Sequence, residues 1–285
     1  MDKYYWIDAN GTEYAISDNH LIKSGPDGRY MPPISFVEEE VPFQSGTRLR
    51  SVKVGAREFD LTFYIDGDSE VDVRNKTRNL LRTFNPLKGD GKIYVVAPDN
   101  SQREINCRYA SGLEISEKDG SKIGHLQTVT LVFRAFDPYW YDTSTQVQTF
   151  KVNEAPGSFF PIFPLRLASS AVFADMSVEN TGDVETWPEW IITGPGENIV
   201  LRNLSTDEVT ELSVTLGAGE TLTIDTRPYN KTVTKGDGTN LFYTLSDDSS
   251  LWALREGDNS IQLEMAGTTT ESSIQLSYRN RYWGP

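Results

Sequence analysis

Few residues in this chain have the type and spacing that chemistry needs. Asp66, Asp68 and Glu70 alternate in the manner of calcium ligands. They lack the later ligands of an EF-hand loop, and Asp68 and Glu70 precede a helix whose N-terminus favours acids in any case. Cys107 is the single cysteine, so an intrachain disulfide is excluded. A nucleophilic thiol would need a base in space, and only His20 and His125 could serve. "REINCRYA" instead reads as a strand carrying a buried packing thiol. Trp187 and Trp190, in "ETWPEWIITGPG", could stack on sugar rings or on a protein partner; the plainer reading makes them core and edge residues of a strand. The 41 Asp and Glu offer many carboxylate pairs for a glycosidase, and an abundant residue type selects none of them. G-x-S-x-G, Walker A, H-E-x-x-H and C-x-x-C motifs are absent, and "TGPGEN" joins two strands as a turn. We therefore expect no catalytic residue, no cofactor and no metal ligand.

The remaining candidate set is basic. Arg74, Arg78 and Arg82 recur four apart beside an apolar helix face. Ser69 is the expected N-cap, with Asp72 three residues on in a near capping box. Val73, Thr77, Leu80, Leu81 and Phe84 follow helical spacing, and Asn85-Pro86 ends the run. A solvated stripe is the ordinary reading of such arginines, but their regularity beside the one evident helix makes them a candidate subunit contact.

Elsewhere the pattern is that of strands. "YYWIDANGTEYAI" places Asn10-Gly11 between two alternating runs, a hairpin signal. "ISFVEEEVPF" is a short strand ending near Pro42. Phe59, Leu61, Phe63 and Ile65 alternate with polar residues, as do Val129, Leu131, Phe133 and Ala135. "KIYVVAP" and "REINCRYASGLEI" supply two further strands. Residues 153–164, rich in Pro, Gly and Phe, read as an inter-domain connection. Beyond 165, strands are expected near 172–179, 187–193, 198–203, 208–214, 221–225, 240–245, 259–265 and 273–280, the spacing of a β-sandwich. The fold class is mainly β. Domain 1–145 carries one α-helix, 146–164 connects, and 165–285 is a second β-domain.

Charge divides along the same line. The net charge is −14. Residues 1–140 hold 18 Lys and Arg against 21 Asp and Glu, and residues 141–285 hold 9 against 20. An acid excess of that size in the second half argues against nucleic-acid binding there, since phosphate contacts need Lys and Arg. No apolar run approaches the roughly 18 residues of a membrane span. The first ten residues lack the apolar segment of a signal peptide, so synthesis in a cytoplasm is expected.

Several stretches, in order, resemble the distal tail proteins of long-tailed bacteriophages. They are "REFDLTFYIDG" (57–67), "VRNKTRNLLRTFNPLKGDGKIYV" (73–95), "REINCRYASGLEI" (103–115) and "VTLVFRAFDPYWYD" (129–142). The second half adds "VENTGDVETWPEWIITGPGENIVLRN" (178–203), "GAGETLTIDT" (217–226), "LREGDNSIQL" (254–263) and "LSYRNRYWGP" (276–285). Together they cover most of the chain.

The resemblance implies a ring-forming N-terminal domain, a tail-tube-like β-barrel or sandwich with one helix, followed by a galectin-like β-sandwich. It implies a homohexameric ring in the virion, at the tail tip. The major tail protein or tail tube would lie on one side, and the hub, fibre or receptor-binding proteins on the other. Neither direct nucleic-acid binding nor a membrane partner is expected. Two other classes stand beside it: a carbohydrate-binding protein using Trp187 and Trp190, and a hydrolase with an unrecognised carboxylate pair. No long inserted carbohydrate-binding module is visible.

Overall fold

The computed structural model describes residues 2–24, 26–115, 122–151 and 172–285. They divide into two compact units, Met1–Thr143 with Tyr282–Pro285, and Ser144–Arg281.

Unit 1 contains β1 (Lys3–Ile7), β2 (Glu13–Ala15), β3 (Leu21–Ser24), β4 (Ile34–Glu40), β5 (Thr47–Val54) and β6 (Arg57–Asp66). It continues with β7 (Gly91–Val96), β8 (Gln102–Ser111), β9 (Lys122–Ile123), β10 (Leu126–Ala135) and β11 (Trp140–Asp142). The main sheet runs β2-β1-β7-β8-β10-β6-β3, and every described pairing in it is antiparallel. The β6–β10 pairing holds register over its full length, from Ala135 opposite Arg57 to Leu126 opposite Asp66. The alternation seen in sequence is the reason. Phe59, Leu61, Phe63 and Ile65 all point into the core, as do Val129, Leu131, Phe133 and Ala135. A slip of one residue in either strand would turn that strand's apolar row to water. Trp6, Phe59 and Phe84 gather around Phe133 with ring centroids 5.5–5.7 Å apart.

A single-turn helix, α1 (Ile16–Asn19), joins β2 to β3; α2 (Glu70–Thr83) is the main helix. Ser69 caps α2 as the sequence predicts, its Oγ accepting from the Asp72 amide at 3.2 Å. Leu80 and Phe84 are buried against the sheet core. Leu81 is not on that face; it is 48% exposed. Adjacent helical residues lie about 100° apart, so a neighbour of buried Leu80 turns outward.

Unit 2 contains β12 (Gln146–Lys151), β13 (Val172–Asn180), β14 (Glu189–Thr193), β15 (Gly196–Asn203) and β16 (Glu208–Leu216). It also holds β17 (Thr221–Asp225), β18 (Thr232–Lys235), β19 (Gly257–Ala266) and β20 (Ser273–Tyr278). Two sheets, β12-β20-β14-β17-β18 and β13-β19-β15-β16, share one apolar core that includes Trp190, Trp252, Leu263 and Leu276. That is the expected sandwich. The short β21 (Arg281–Tyr282) follows, and its last residue belongs to unit 1.

Three boundaries differ from the sequence reading. Residues 146–151 are not connection but an edge strand, β12, paired along β20 from Gln146–Tyr278 to Lys151–Ser273. The predicted connection at 153–164 lies outside the described residues. Residues 240–245 are not a strand: Phe242–Thr244 forms a 3-10 turn that Asn240 starts by accepting from the Phe242 amide. Finally, 282–285 belong with unit 1 and not with the sandwich.

Burial separates the neighbours Leu80 and Leu81 in energy. Leu80→Ala should cost about 3 kcal/mol, and Leu81→Ala should stay within about 0.5 kcal/mol. Denaturant unfolding of the unassembled chain checks both.

Candidate assembly surfaces

Among the described residues β4 and β5 pair only with each other and form a separate two-stranded arm. All seven residues of β4 are exposed, and all of β5 but Val54. The Gly55 amide donates to the Pro33 carbonyl at 2.8 Å and closes the arm's base. At the tip, Phe43 adopts φ 63° and is fully exposed.

Register sorts the arm into two faces. Ile34 lies opposite Val54, Phe36 opposite Val52, Glu38 opposite Leu49 and Glu40 opposite Thr47. These residues alternate with Ser35–Lys53, Val37–Ser51 and Glu39–Arg48. One face is therefore apolar near the base and acidic near the tip. The other is mainly polar; Arg50, which the ladder skips where the register shifts between Val37 and Glu38, pairs with Glu39. Glu38 accepts from the Thr47 hydroxyl, and neither Glu38 nor Glu40 pairs with a cation among the described residues.

The base of the arm is held by the strand core. Asp27 and Asp60 exchange hydrogen bonds, the Asp27 amide donating to the Asp60 carboxylate and the Asp60 amide to the Asp27 carbonyl. Gly28 follows at φ +75°, where an added Cβ would sit 2.2 Å from the Glu58 carbonyl oxygen, so only glycine lets this loop lie on β6. The loop carries the Arg29 carbonyl inward. Buried Arg57 donates to it, as does Trp140 Nε1 at 2.9 Å. The second Arg57 nitrogen donates to the Trp283 carbonyl at 2.7 Å. Arg103 reinforces the returning segment, its guanidinium 3.5 Å above the Tyr282 ring and its Nη1 donating to the Gly284 carbonyl. Burial pushes the Arg57 pKa down to about 10, so the side chain still carries its charge at neutral pH. It binds backbone carbonyls where a carboxylate would be usual. Arg57 thus ties the loop leading into the arm to residues 282–285.

The predicted arginine stripe is on the surface. Arg74, Arg78 and Arg82 are exposed, with no ion pair among the described residues. Val71, at 69%, and Leu81 share that outer stripe, which spans about 100° of the helix.

The other candidates fall elsewhere. Trp190 is 1% exposed and packs edge-on against Trp252, so burial removes it from any sugar or partner platform. Trp187 is half-buried, with Lys231 Nζ 5.9 Å from its ring. Near Asp66 and Asp68, Asp72 accepts from the Asp68 amide and pairs with Lys76, whose Nζ also donates to the Asp66 carbonyl. No three His, Cys, Asp or Glu side chains converge as metal ligands among the described residues. Cys107 is buried, and burial pushes its thiol pKa far up. His20 lies stacked on Phe63 at 4.7 Å and bonded to the Tyr14 hydroxyl, its pKa lowered by burial.

Two family models match the chain. Residues 9–135 match the phage tail protein RIFT-related domain, and residues 181–282 match the C-terminal domain of the siphovirus-type tail component. Among solved structures, the SPP1 Dit protein, described as a paradigm of hub adsorption apparatus in Gram-positive infecting phages, is 17% identical with a TM-score of 0.70. That alignment covers 99% of each chain. A chain of the phage P2 baseplate in its activated conformation with Ca aligns over the whole of both chains, at 10% identity and a TM-score of 0.53. The strontium form gives 13% and 0.51, again over both whole chains. No curated protein sequence matches the chain.

Arg57→Ala should destabilise unit 1 by about 3 kcal/mol, because the Trp283 carbonyl loses its guanidinium donor, the Arg29 carbonyl keeps only Trp140, and the packing of a fully buried side chain is lost. Thermal unfolding checks the loss. Arg57→Lys should recover only part of it, since one ammonium cannot span both carbonyls as the guanidinium fork does.

Proposed function

The chain belongs to the siphovirus distal tail protein family, and from that premise we propose that it closes into a homohexameric ring joining the tail tube to the hub, fibre or receptor-binding proteins. As a family member it is a structural, non-enzymatic component of the phage tail tip or baseplate, with other tail components as its partners.

One observation carries the ring reading. The β4–β5 arm puts Phe36, Phe43, Leu49 and Val52 in water, each more than half exposed. An isolated two-stranded hairpin is marginal in water, and apolar residues gathered on one face mark an interaction site. A second copy of the chain supplies cover for the arm and presents its own arm in turn. Repeated around an axis, such a head-to-tail contact either closes or grows without end, and a ring is the closed solution. The near-neutral balance of residues 1–140 suits this, since six strongly acidic faces would repel one another. The hub apparatus and the baseplate from which the similar structures come are settings where such an adaptor fits. The arginine stripe is the proposed site of a subunit contact.

Mass measurement of the purified chain, alone and with its tail-tube and hub partners, tests the ring. A hexamer is expected in at least one condition; a monomer in all of them contradicts the reading. Arg74→Gln, Arg78→Gln and Arg82→Gln together should weaken assembly without lowering the melting temperature of the free chain. Assembly equal to wild type would remove the stripe from the contact.

A further inference from the structure

Two exposed surfaces of unit 1 complement each other in chemistry and in spacing. The arm offers apolar Ile34, Phe36, Leu49 and Val52 on one face, with Glu38 and Glu40 toward its tip. The outer stripe of α2 offers apolar Val71 and Leu81 among Arg74, Arg78 and Arg82. Each is an apolar strip with charge of one sign, and the signs are opposite.

Spacing agrees as well. Alternate residues of a strand are about 6.8 Å apart. Helical residues four apart are about 6 Å apart along the axis. Glu38 and Glu40 can therefore face two consecutive arginines of the stripe at once. Arg78 belongs to either possible pair, Arg74–Arg78 or Arg78–Arg82. The polar face of the arm would remain toward solvent, with Glu39 satisfied by Arg50.

We infer that the arm of one copy lies across the outer face of α2 of the next, with Glu38 and Glu40 against the Arg74/Arg78/Arg82 stripe and the arm's apolar residues against Val71 and Leu81. This rests on the ring reading and names the surfaces that would make its contact. The occupant of the helix face is a second copy of this chain. An acid-bearing tail protein would satisfy the arginines yet leave the arm's apolar face in water. The arm covers both needs in one contact.

Charge reversal in the full-length chain tests the pairing. All the substituted residues are exposed, so the free chain should melt as wild type does. Glu38→Arg with Glu40→Arg should raise the protein concentration needed for ring assembly about tenfold or more, because like charges then meet. Arg74→Glu with Arg78→Glu should do the same. All four changes together should restore assembly to within about threefold of wild type. Added salt should weaken the wild-type ring and relieve the repulsion in each half-reversed variant.

A covalent readout runs in parallel. Glu38→Cys and Arg78→Cys chains, mixed and oxidised, should give a disulfide-linked pair that neither gives alone; Cys107, being buried, stays outside the reaction. If wild type assembles while both half-reversed variants assemble equally well, or the fourfold variant is not rescued, the arm–helix pairing is wrong and the ring reading survives. If wild type fails to assemble even with its tail partners, both fall.

Discussion

The constraint on which this molecule turns is the unpaid exposure of the β4–β5 arm. Residues 34–54 leave the sheet as a bare hairpin. Among the described residues its two strands have only each other as ladder partners, and its apolar residues meet water. A globular enzyme gains nothing from such a projection. An assembly protein does, because a hairpin can lie on a neighbour and lose its exposed surface only when the neighbour is present. The surrounding parts of unit 1 make that projection definite. The Asp27–Asp60 exchange, the close approach of Gly28 to Glu58 and the Pro33–Gly55 bond set where the arm begins.

Arg57 extends the constraint to the far end of the chain. A guanidinium wholly out of solvent is costly unless its donors are used. Here two of its nitrogens reach carbonyls of Arg29 and Trp283, which are distant in sequence. The segment 282–285 is thus part of unit 1, although the whole of unit 2 separates it in sequence from the rest of that unit. Each unit otherwise keeps its own core. Unit 1 is built on stacked aromatics around Phe133, and unit 2 on Trp190 and Trp252 between two sheets.

How much of this could be read from sequence depends on the range of each signal. Period-two alternation in β6 and β10 is local and strong, and it located the central pair of strands. Ser69, Asp72 and Asn85-Pro86 similarly bounded α2. Leu81 departs from the expected face because a two-leucine step on a helix does not say which residue faces the core. "TVTK" at 232–235 carries no legible strand signal, four residues being too short for a period to register. Strand β5, Thr47–Val54, is likewise illegible in the sequence, its Arg and Lys breaking the apolar rhythm. "ISFVEEEVPF" reads as a strand, but nothing local says whether a strand has a sheet beside it. Burial of Trp190 and the reach of Arg57 to Trp283 are tertiary facts with no local signature. The arginine stripe is visible from its spacing alone; the two faces of the arm are not, because they depend on register with β5.

Hydrogen exchange across residues 34–54 addresses the central claim most directly. The free chain and the assembled tail tip would be compared under the same buffer. Amides that point outward from the arm's two strands should exchange rapidly in the free chain and become protected on assembly, together with residues around the outer stripe of α2. Equal exchange in both states, with protection arising only in unit 2, would contradict the account.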